Sequence, residues 1–146
     1  MVQVVAWEDG RPVGKAMVLF PGHEEYSESA EREGCGEVRD VAVAPEARRR
    51  GVATAMIAAL ESATRERGIP GIGLSVALAE DDAAARGLYA KLGYAVAHGP
   101  FITSTDLYAD DGHPIPVGAV MCYLTKSLLE TEPRLRDEPA TADSDR

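Results

Sequence analysis

An arginine-rich turn lies where a predicted strand passes into a predicted helix. Its basic side chains are Arg48, Arg49 and Arg50. Gly51 follows them, and the apolar spacing of a helix begins at Val52. The first turn of a helix has backbone N–H groups without intrahelical acceptors, and the helix dipole adds positive charge there, so such a turn binds anions. Gly51 and Ala53 leave room for phosphate oxygens, and Thr54 offers a hydroxyl donor. The sequence therefore predicts a phosphate-binding turn.

This turn is not a common nucleotide-binding loop, because the P-loop pattern GxxxxGK(S/T) and the dinucleotide pattern GxGxxG are both absent. The turn and the segment after it resemble the GNAT superfamily of acyl-CoA-dependent N-acetyltransferases. The phosphate loop of that family follows (Q/R)-x-x-G-x-(G/A), which Arg48-x-x-Gly51-x-Ala53 matches. A later helix of the family resembles N-x-x-A-x-x-L-Y-x-K-x-G-(F/Y), and residues 82–94 read DAAARGLYAKLGY.

The resemblance implies acetyl-CoA as the co-substrate, without a metal. In the family the pyrophosphate binds the loop, the pantetheine arm pairs with a bulged, valine-rich strand, and the later helix lies beside the sulfur. The residues implied to contact acetyl-CoA are Val41, Ala42, Val43, Arg48, Arg49, Arg50, Gly51, Val52, Ala53, Thr54, Asp82 and Tyr89. Asp82 departs from the family asparagine, because its carboxylate keeps an acceptor for helix capping but lacks the amide donors.

Two side chains match catalytic positions of the family. Tyr89 corresponds to the tyrosine that protonates the departing thiolate, a role that suits a phenol because it stays protonated at neutral pH. Tyr89 also lies on an apolar stripe with Ala85 and Leu92, so a packed aromatic ring is the alternative, and both can hold, with the ring packed and the hydroxyl functional. Glu37 matches by position a glutamate that deprotonates the amine, directly or through water, and a solvated strand-end residue is the alternative. A backbone N–H near Val41 is implied to stabilise the oxyanion.

Other chemistries have less support. His98 and His113 are alternative bases, although a lone histidine is more often a surface imidazole, and many family members use a chain of water molecules. The histidines are scattered and the stretch 110–113 lacks ligand spacing, so no metal site is predicted. A GxSxG motif is absent, which argues against a serine hydrolase. Cys35 and Cys122 are interpreted as reduced structural residues.

The patterns around these residues predict an α/β domain. The segments are a hairpin at 2–20, a long loop or marginal helix at 21–36, a strand at 37–43, a helix at 52–67, a strand at 72–76, a helix at 82–92 and strands at 94–102 and 117–125. Asp82 is the expected N-cap of the second helix, Gly93 its end, and 106–116 a loop. We expect a mixed, mostly antiparallel sheet of about six strands flanked by helices, lacking the usual N-terminal strand and two helices of the family.

Length, charge and hydropathy limit the class of protein. The 146 residues suit one domain, expected at 1–129, with a disordered acidic tail at 130–146. The formal net charge of −9 argues against a nucleic-acid partner. The longest apolar runs, 55–60 and 119–124, fall far short of the ~20 residues that cross a bilayer. Because no signal-peptide pattern is present either, we expect a cytoplasmic protein without a membrane partner.

The predicted function is transfer of an acetyl group from acetyl-CoA to the primary amine of a small cationic molecule, by direct attack in a ternary complex. Residues 23–40 contain seven acids, which can attract a cation. The alternatives are a non-catalytic acyl-CoA-binding or regulatory module, an acyltransferase that acts on a protein amine, and transfer of a larger acyl group. Apolar surface left by the missing helices favours a homodimer.

Overall fold

A computed structural model describes residues 1–129, in which six strands form one sheet flanked by three α-helices. The strands are β1 (Val2–Glu8), β2 (Arg11–Leu19), β3 (Gly36–Val43), β4 (Gly71–Ala77), β5 (Ala95–Tyr108) and β6 (Pro114–Ser127). The helices are α1 (Glu28–Glu33), α2 (Val52–Glu66) and α3 (Ala83–Lys91). The spatial order is β1-β2-β3-β4-β6-β5, and only the β3–β4 pair is parallel. The predicted mixed, mostly antiparallel α/β sheet is confirmed.

The first two strands form the predicted hairpin. Asp9 and Gly10 at its turn have φ angles of 50° and 76°, and this left-handed backbone matches the twist of the flanking strands. Both residue types adopt it more readily than most others. Within residues 1–129, no helix precedes this hairpin, and the first helix is α1, after β2.

Helix α2 covers one face of the sheet with the apolar stripe that its spacing predicts. Met56, Ile57 and Leu60 are buried and belong to one core with Val18 and Ile72 of the sheet. Burying an aliphatic side chain of this size stabilises the fold by roughly 1.5–3 kcal/mol. The packing holds α2 against the sheet, so the start of the helix has a fixed position after β3.

The segment predicted as a long loop or marginal helix contains the short helix α1. The Ser27 hydroxyl accepts a hydrogen bond of 3.1 Å from Ala30 N–H at its start, and Gly34, with a φ angle of 65°, ends it. Ala30 packs with Cys35 and Tyr123 in a small second core. The neighbours of Tyr123 along β6 belong to the main core, so α1 lies on the opposite face of the sheet from α2.

The last two strands are longer than predicted, and the loop expected at 106–116 is wrong. Pairing continues from Ile102↔Val120 to Tyr108↔Pro114, which leaves only a short turn. The prolines of this segment suggested a loop because proline has no N–H for a sheet. Before Met121, however, β6 pairs with β5 alone among the described strands, so a proline nitrogen is accommodated at its unpaired edge.

The start of α3 also differs from the prediction. Asp82 occupies the N-cap position, but its side chain makes no capping hydrogen bond, so the predicted side-chain cap is wrong. A 3-10 turn, Glu80–Asp82, leads into the helix and gives Asp82 a φ of −99° and a ψ of 7°, instead of the extended backbone that a capping side chain needs. Gly93, with a φ of 98°, follows the helix as predicted.

Two further expectations concern the ends and the environment of the chain. No helix in residues 1–129 combines the length and the apolar character that crossing a membrane requires. The segment predicted as an acidic tail, 130–146, lies outside the described residues. The domain boundary at residue 129 therefore stays a prediction.

Candidate active site

Strands β3 and β4 separate soon after they meet. Their parallel pairing is limited to the pairs Gly36–Ile72 and Glu37–Gly73, whereas β4 stays paired with β6 along its whole length. Among the described residues, the β4-facing backbone groups of β3 beyond Glu37 therefore have no strand partner. A cleft opens between the two strands at this point.

A β-bulge bends β3 beside the cleft. One residue of β2, Ala16, faces two residues of β3, Asp40 and Val41. Asp40 has a φ angle of 57°, a left-handed conformation that Asp adopts more often than most side chains. Such a bulge interrupts the ladder and re-aims the residues that follow. The bulged strand that the family resemblance implies is confirmed.

The cleft contains a cavity of about 320 Å³ that reaches α3. Its walls include Val38, Asp40, Val41, Leu74, Ser75, Asp82, Ala85 and Tyr89. Tyr89 is 6% exposed, and its ring packs edge-to-face on Tyr94 with 5.7 Å between centroids. Burial raises the pKa of the Tyr89 hydroxyl, which has no hydrogen-bond partner in the described part of the chain. A protonated phenol therefore faces the cavity.

The predicted phosphate-binding turn follows β3 through a 3-10 turn, Pro45–Ala47. Gly51 is the N-cap of α2 with a φ angle of 82°, and no side chain in the described part of the chain caps the helix. A Cβ at Gly51 would meet nothing within 4 Å, so the space there is open. Helix geometry directs the first N–H groups, at Val52, Ala53 and Thr54, out of the helix start. An anion can reach them without displacing a side chain.

The three arginines of the turn are exposed but differ in their contacts. Arg48 Nε donates a hydrogen bond of 3.2 Å to the carbonyl oxygen of Val43. Arg50 pairs with Glu8 at 2.6 Å. Arg49 has a φ angle of 64° and, within residues 1–129, no ion-pair or hydrogen-bond partner for its side chain. The structure therefore brings the arginines into one turn and leaves Arg49 available to a ligand.

Glu37, the predicted base, lies where the cleft closes, on the face that carries α1. It is 2% exposed. Its carboxylate accepts hydrogen bonds from the backbone N–H of Ser27 (3.2 Å), the Ser27 hydroxyl and the Tyr123 hydroxyl (3.3 Å), and it pairs with Arg39 at 3.1 Å. Glu37 does not line the cavity that contains Tyr89. The two predicted catalytic residues therefore occupy adjacent compartments, and the role of Glu37 stays a prediction.

Sequence reasoning missed both hydroxyl donors of Glu37. Ser27 stands before an acidic stretch, which is the position of a helix N-cap, and this signal could have placed a helix at 28. Tyr123 stands between Cys122 and Leu124 in a strand, so alternation assigns it to the face opposite those two residues. Neither pattern reveals that the two hydroxyls meet at one carboxylate.

The two histidines considered as bases have different surroundings. His98 is half-buried, with Nδ1 2.7 Å from the Glu33 carboxylate and Nε2 3.1 Å from the Ser29 hydroxyl. His113 is exposed in the β5–β6 turn and contacts Asp111. Neither lines the cavity that contains Tyr89. No group of three or more potential metal ligands occurs within residues 1–129.

A sheet that opens beside an uncapped helix start can bind an extended ligand that ends in phosphates. The model of the acetyltransferase (GNAT) family matches residues 2–94, so the chain belongs to that family. It carries the fold and the cleft of a GNAT-type N-acetyltransferase.

Solved structures have the same fold. The ribosomal-protein-S18-alanine N-acetyltransferase from Escherichia coli is 18% identical, with a TM-score of 0.60 over 93% of this chain and 74% of that one. Nourseothricin acetyltransferase is 25% identical, with a TM-score of 0.62 over 87% of this chain and 65% of that one. YncA from Salmonella typhimurium, whose structure contains acetyl-CoA, is 17% identical, with a TM-score of 0.58 over 90% of this chain and 67% of that one. A comparison with curated proteins finds no match.

Proposed function

We propose that the chain transfers the acetyl group of acetyl-CoA to the primary amine of a small cationic molecule, by direct attack of the amine in a ternary complex. The observation that carries this proposal is the opening between β3 and β4 beside Tyr89, because it combines unpaired strand backbone with a buried, protonated phenol. Membership of the GNAT family supports acetyl-CoA as the co-substrate.

The residues of the turn and of β3 fit acetyl-CoA. The N–H groups at the start of α2, from Gly51 to Thr54, bind the diphosphate, and Arg49 pairs with its oxygens. Arg48 and Arg50 flank the same site. The unpaired edge of β3 at Val41, Ala42 and Val43 hydrogen-bonds the amides of the pantetheine arm, as a neighbouring strand would. When bound, acetyl-CoA supplies the acetyl group as a thioester.

Each step of the proposed reaction is assigned to one group of the protein. Glu37 accepts the ammonium proton through a water molecule, since its carboxylate lies outside the cavity that Tyr89 lines. As the C–N bond forms and the C–S bond breaks, a backbone N–H near Val41 stabilises the charge on the carbonyl oxygen. Tyr89 protonates the leaving sulfur, and the nitrogen of the new amide then loses its second proton, which returns to the Tyr89 oxygen. The raised pKa that burial gives the Tyr89 hydroxyl favours this return. Positioning of two substrates supplies most of the remaining acceleration.

Negative charge around α1 supports a cationic acceptor. Glu24, Glu25, Glu28 and Glu31 are exposed in the segment that precedes Glu37. A surface with one sign of charge raises the local concentration of ligands of the opposite sign, more strongly at low ionic strength. A homodimer and a cytoplasmic location remain predictions of the sequence.

A thiol-release assay with acetyl-CoA tests the proposal. The acceptor panel consists of polyamines, aminoglycosides and lysine peptides, and mass spectrometry detects the acetylated product. We expect thiol release that depends on the amine and equals the product formed. Calorimetry with coenzyme A runs alongside, so binding without turnover across the panel would favour the non-catalytic module. Turnover with lysine peptides alone would favour a protein acceptor.

A further inference from the structure

A second cavity lies on the α1 face of the sheet. It has a volume of about 260 Å³ and is lined by Glu28, Ser29 and Arg32 of α1 and by His98 and Phe101 of β5. It has no lining residue in common with the cavity at Tyr89. The volume is below that of pockets for drug-sized ligands and suits a group of amino-acid size.

Two opposite charges at this cavity have no partner among the described residues. Glu28 and Arg32 stand four residues apart, so they lie on one side of α1, and both are exposed. Within residues 1–129, neither side chain forms an ion pair or a hydrogen bond. Of the nearby acids on α1, Glu33 pairs with His98, and Glu31 lines a different cavity. The cavity therefore presents a free carboxylate and a free guanidinium one helical turn apart.

The aromatic wall of the cavity is held in place. The His98 ring stacks on the Tyr123 ring, with 5.3 Å between their centroids and 9° between their planes. The centroid of the Phe101 ring lies 5.5 Å from that of His98. The two ring nitrogens of His98 form hydrogen bonds with the side chains of Glu33 and Ser29 of α1. His98 thus ties α1 to β5 and is not itself available as a ligand, which leaves the ring of Phe101 as an apolar surface.

The same helix connects this cavity with the predicted base. Ser27, the N-cap of α1, donates two hydrogen bonds to Glu37. Tyr123, on which His98 stacks, donates a third to the same carboxylate. The cavity and the Glu37 carboxylate are therefore on one face of the sheet and share two supporting elements. Glu37 itself does not line the cavity.

We propose that this cavity binds the zwitterionic end of an α-amino acid acceptor. The carboxylate of the acceptor pairs with Arg32, its α-ammonium pairs with Glu28, and its carbon chain packs on Phe101. A second amine at the other end of the acceptor is then the one that is acetylated. The inference rests on the proposed function and narrows its acceptor class from cationic amines to diamino acids. A pure cation would leave Arg32 unpaired beside it.

Calorimetry with L-lysine and cadaverine tests this subsite on the full chain, because cadaverine is the same diamine without the carboxylate. We expect lysine to bind more tightly. Arg32→Gln weakens lysine binding about fivefold, the effect of losing one partly exposed ion pair, and does not weaken cadaverine binding. Glu28→Gln weakens the binding of both ligands. Glu66→Gln, exposed on α2, and Arg11→Gln in the first hairpin are the matched controls and change neither affinity.

Several results would overturn the subsite. The first is an equal affinity for lysine and cadaverine, and the second is that neither probe binds. The third is an Arg32→Gln variant that binds lysine as tightly as the parent. Circular dichroism checks that the variants fold. The proposed function fails separately. A protein that releases thiol with diamines but shows any of these results has the transferase activity without the subsite. A protein that binds lysine as expected but releases no thiol with any amine has the subsite without the activity.

Discussion

The Tyr123 hydroxyl donates a hydrogen bond of 3.3 Å to the carboxylate of Glu37, which joins β6 to β3 across the intervening strand β4. Tyr123 is fully buried and Glu37 is 2% exposed. The hydroxyl and backbone N–H of Ser27 approach the same carboxylate from α1. Donors from the start of the neighbouring helix α1 and from the distant strand β6 therefore fix one acidic group, because a buried carboxylate must be satisfied by donors from the surrounding fold.

If Glu37 is the base, Glu37→Gln lowers kcat by about 100-fold, which is the lower end of the contribution of general-base catalysis. The KM for acetyl-CoA stays the same, because the coenzyme-binding turn is a separate part of the chain. Steady-state kinetics at saturating acetyl-CoA measures both values. Glu66→Gln, on the exposed side of α2, is the matched control. An unchanged kcat combined with a lower melting temperature would assign Glu37 a structural role instead.

Tyr89→Phe is expected to lower kcat by about 100-fold if the phenol protonates the leaving sulfur. Its melting temperature stays close to that of the parent, because the ring is kept and the hydroxyl has no partner within residues 1–129. Tyr94→Phe provides the opposite case, since the Tyr94 hydroxyl donates a hydrogen bond of 2.8 Å to buried Glu61. That variant should lose stability and keep its kcat. Similar kinetics for both variants would contradict a chemical role for Tyr89.

Patterns in neighbouring residues of the sequence predicted the elements that form the proposed coenzyme site. The spacing of Met56 and Leu60 predicts the buried face of α2, and Gly51 before that helix predicts its open start. These features depend on neighbours within a turn or two of the chain, so periodicity and turn chemistry are sufficient to find them.

Features that depend on strand pairing were not predictable from the sequence. The contact between Tyr123 and Glu37 needs the strand order that places β4 between β3 and β6. To predict the length of the β5–β6 pair, one must know that Pro116 lies in the part of β6 that pairs with β5 but not with β4. Partners this far apart in the sequence leave no local pattern, and proline biases any local estimate toward a loop.

Gly51→Glu is expected to raise the Kd for coenzyme A by more than tenfold, because a carboxylate then occupies the approach to the helix N–H groups and repels phosphate. Calorimetry with coenzyme A measures the change. Gly112→Glu is the matched control, since Gly51 and Gly112 both have positive φ angles, of 82° and 88°, and open space where a Cβ would be. Equal affinities for the two variants would mean that the turn does not bind the diphosphate.

Stability should fall in alkaline solution. Burial is the main cause that raises the pKa of the Cys35 thiol from 9.0 to about 11. Above pH 9 the unfolded chain therefore releases a proton that the folded chain keeps, so the free energy of unfolding falls as pH rises toward 11. Denaturant titrations at pH 8, 9 and 10 measure the slope, and Cys35→Ala should reduce it. The buried tyrosines also have raised pKa values, and they lower the free energy of unfolding further only above about pH 10.

Gly73 lies where the cleft closes, and it has no room for a side chain. A Cβ there would lie 2.7 Å from a ring carbon of Tyr123, 2.8 Å from the carbonyl oxygen of Leu124 and 3.0 Å from the sulfur of Cys35. The carbonyl belongs to the backbone of β6 and cannot turn away, so the strands must move apart. We expect Gly73→Ala to lower the free energy of unfolding by about 2–3 kcal/mol, the upper part of the range for overpacking.

Gly71→Ala in the same strand is the control, because its Cβ would come no closer than 3.4 Å to any neighbour. Its free energy of unfolding should stay within about 0.5 kcal/mol of the parent. The Gly73 variant should also lower kcat, since the displaced Tyr123 ring no longer brings its hydroxyl to Glu37. A Gly73→Ala protein as stable as Gly71→Ala would show that β4 and β6 can separate freely. The position of Glu37 would then not depend on the close contact of these strands.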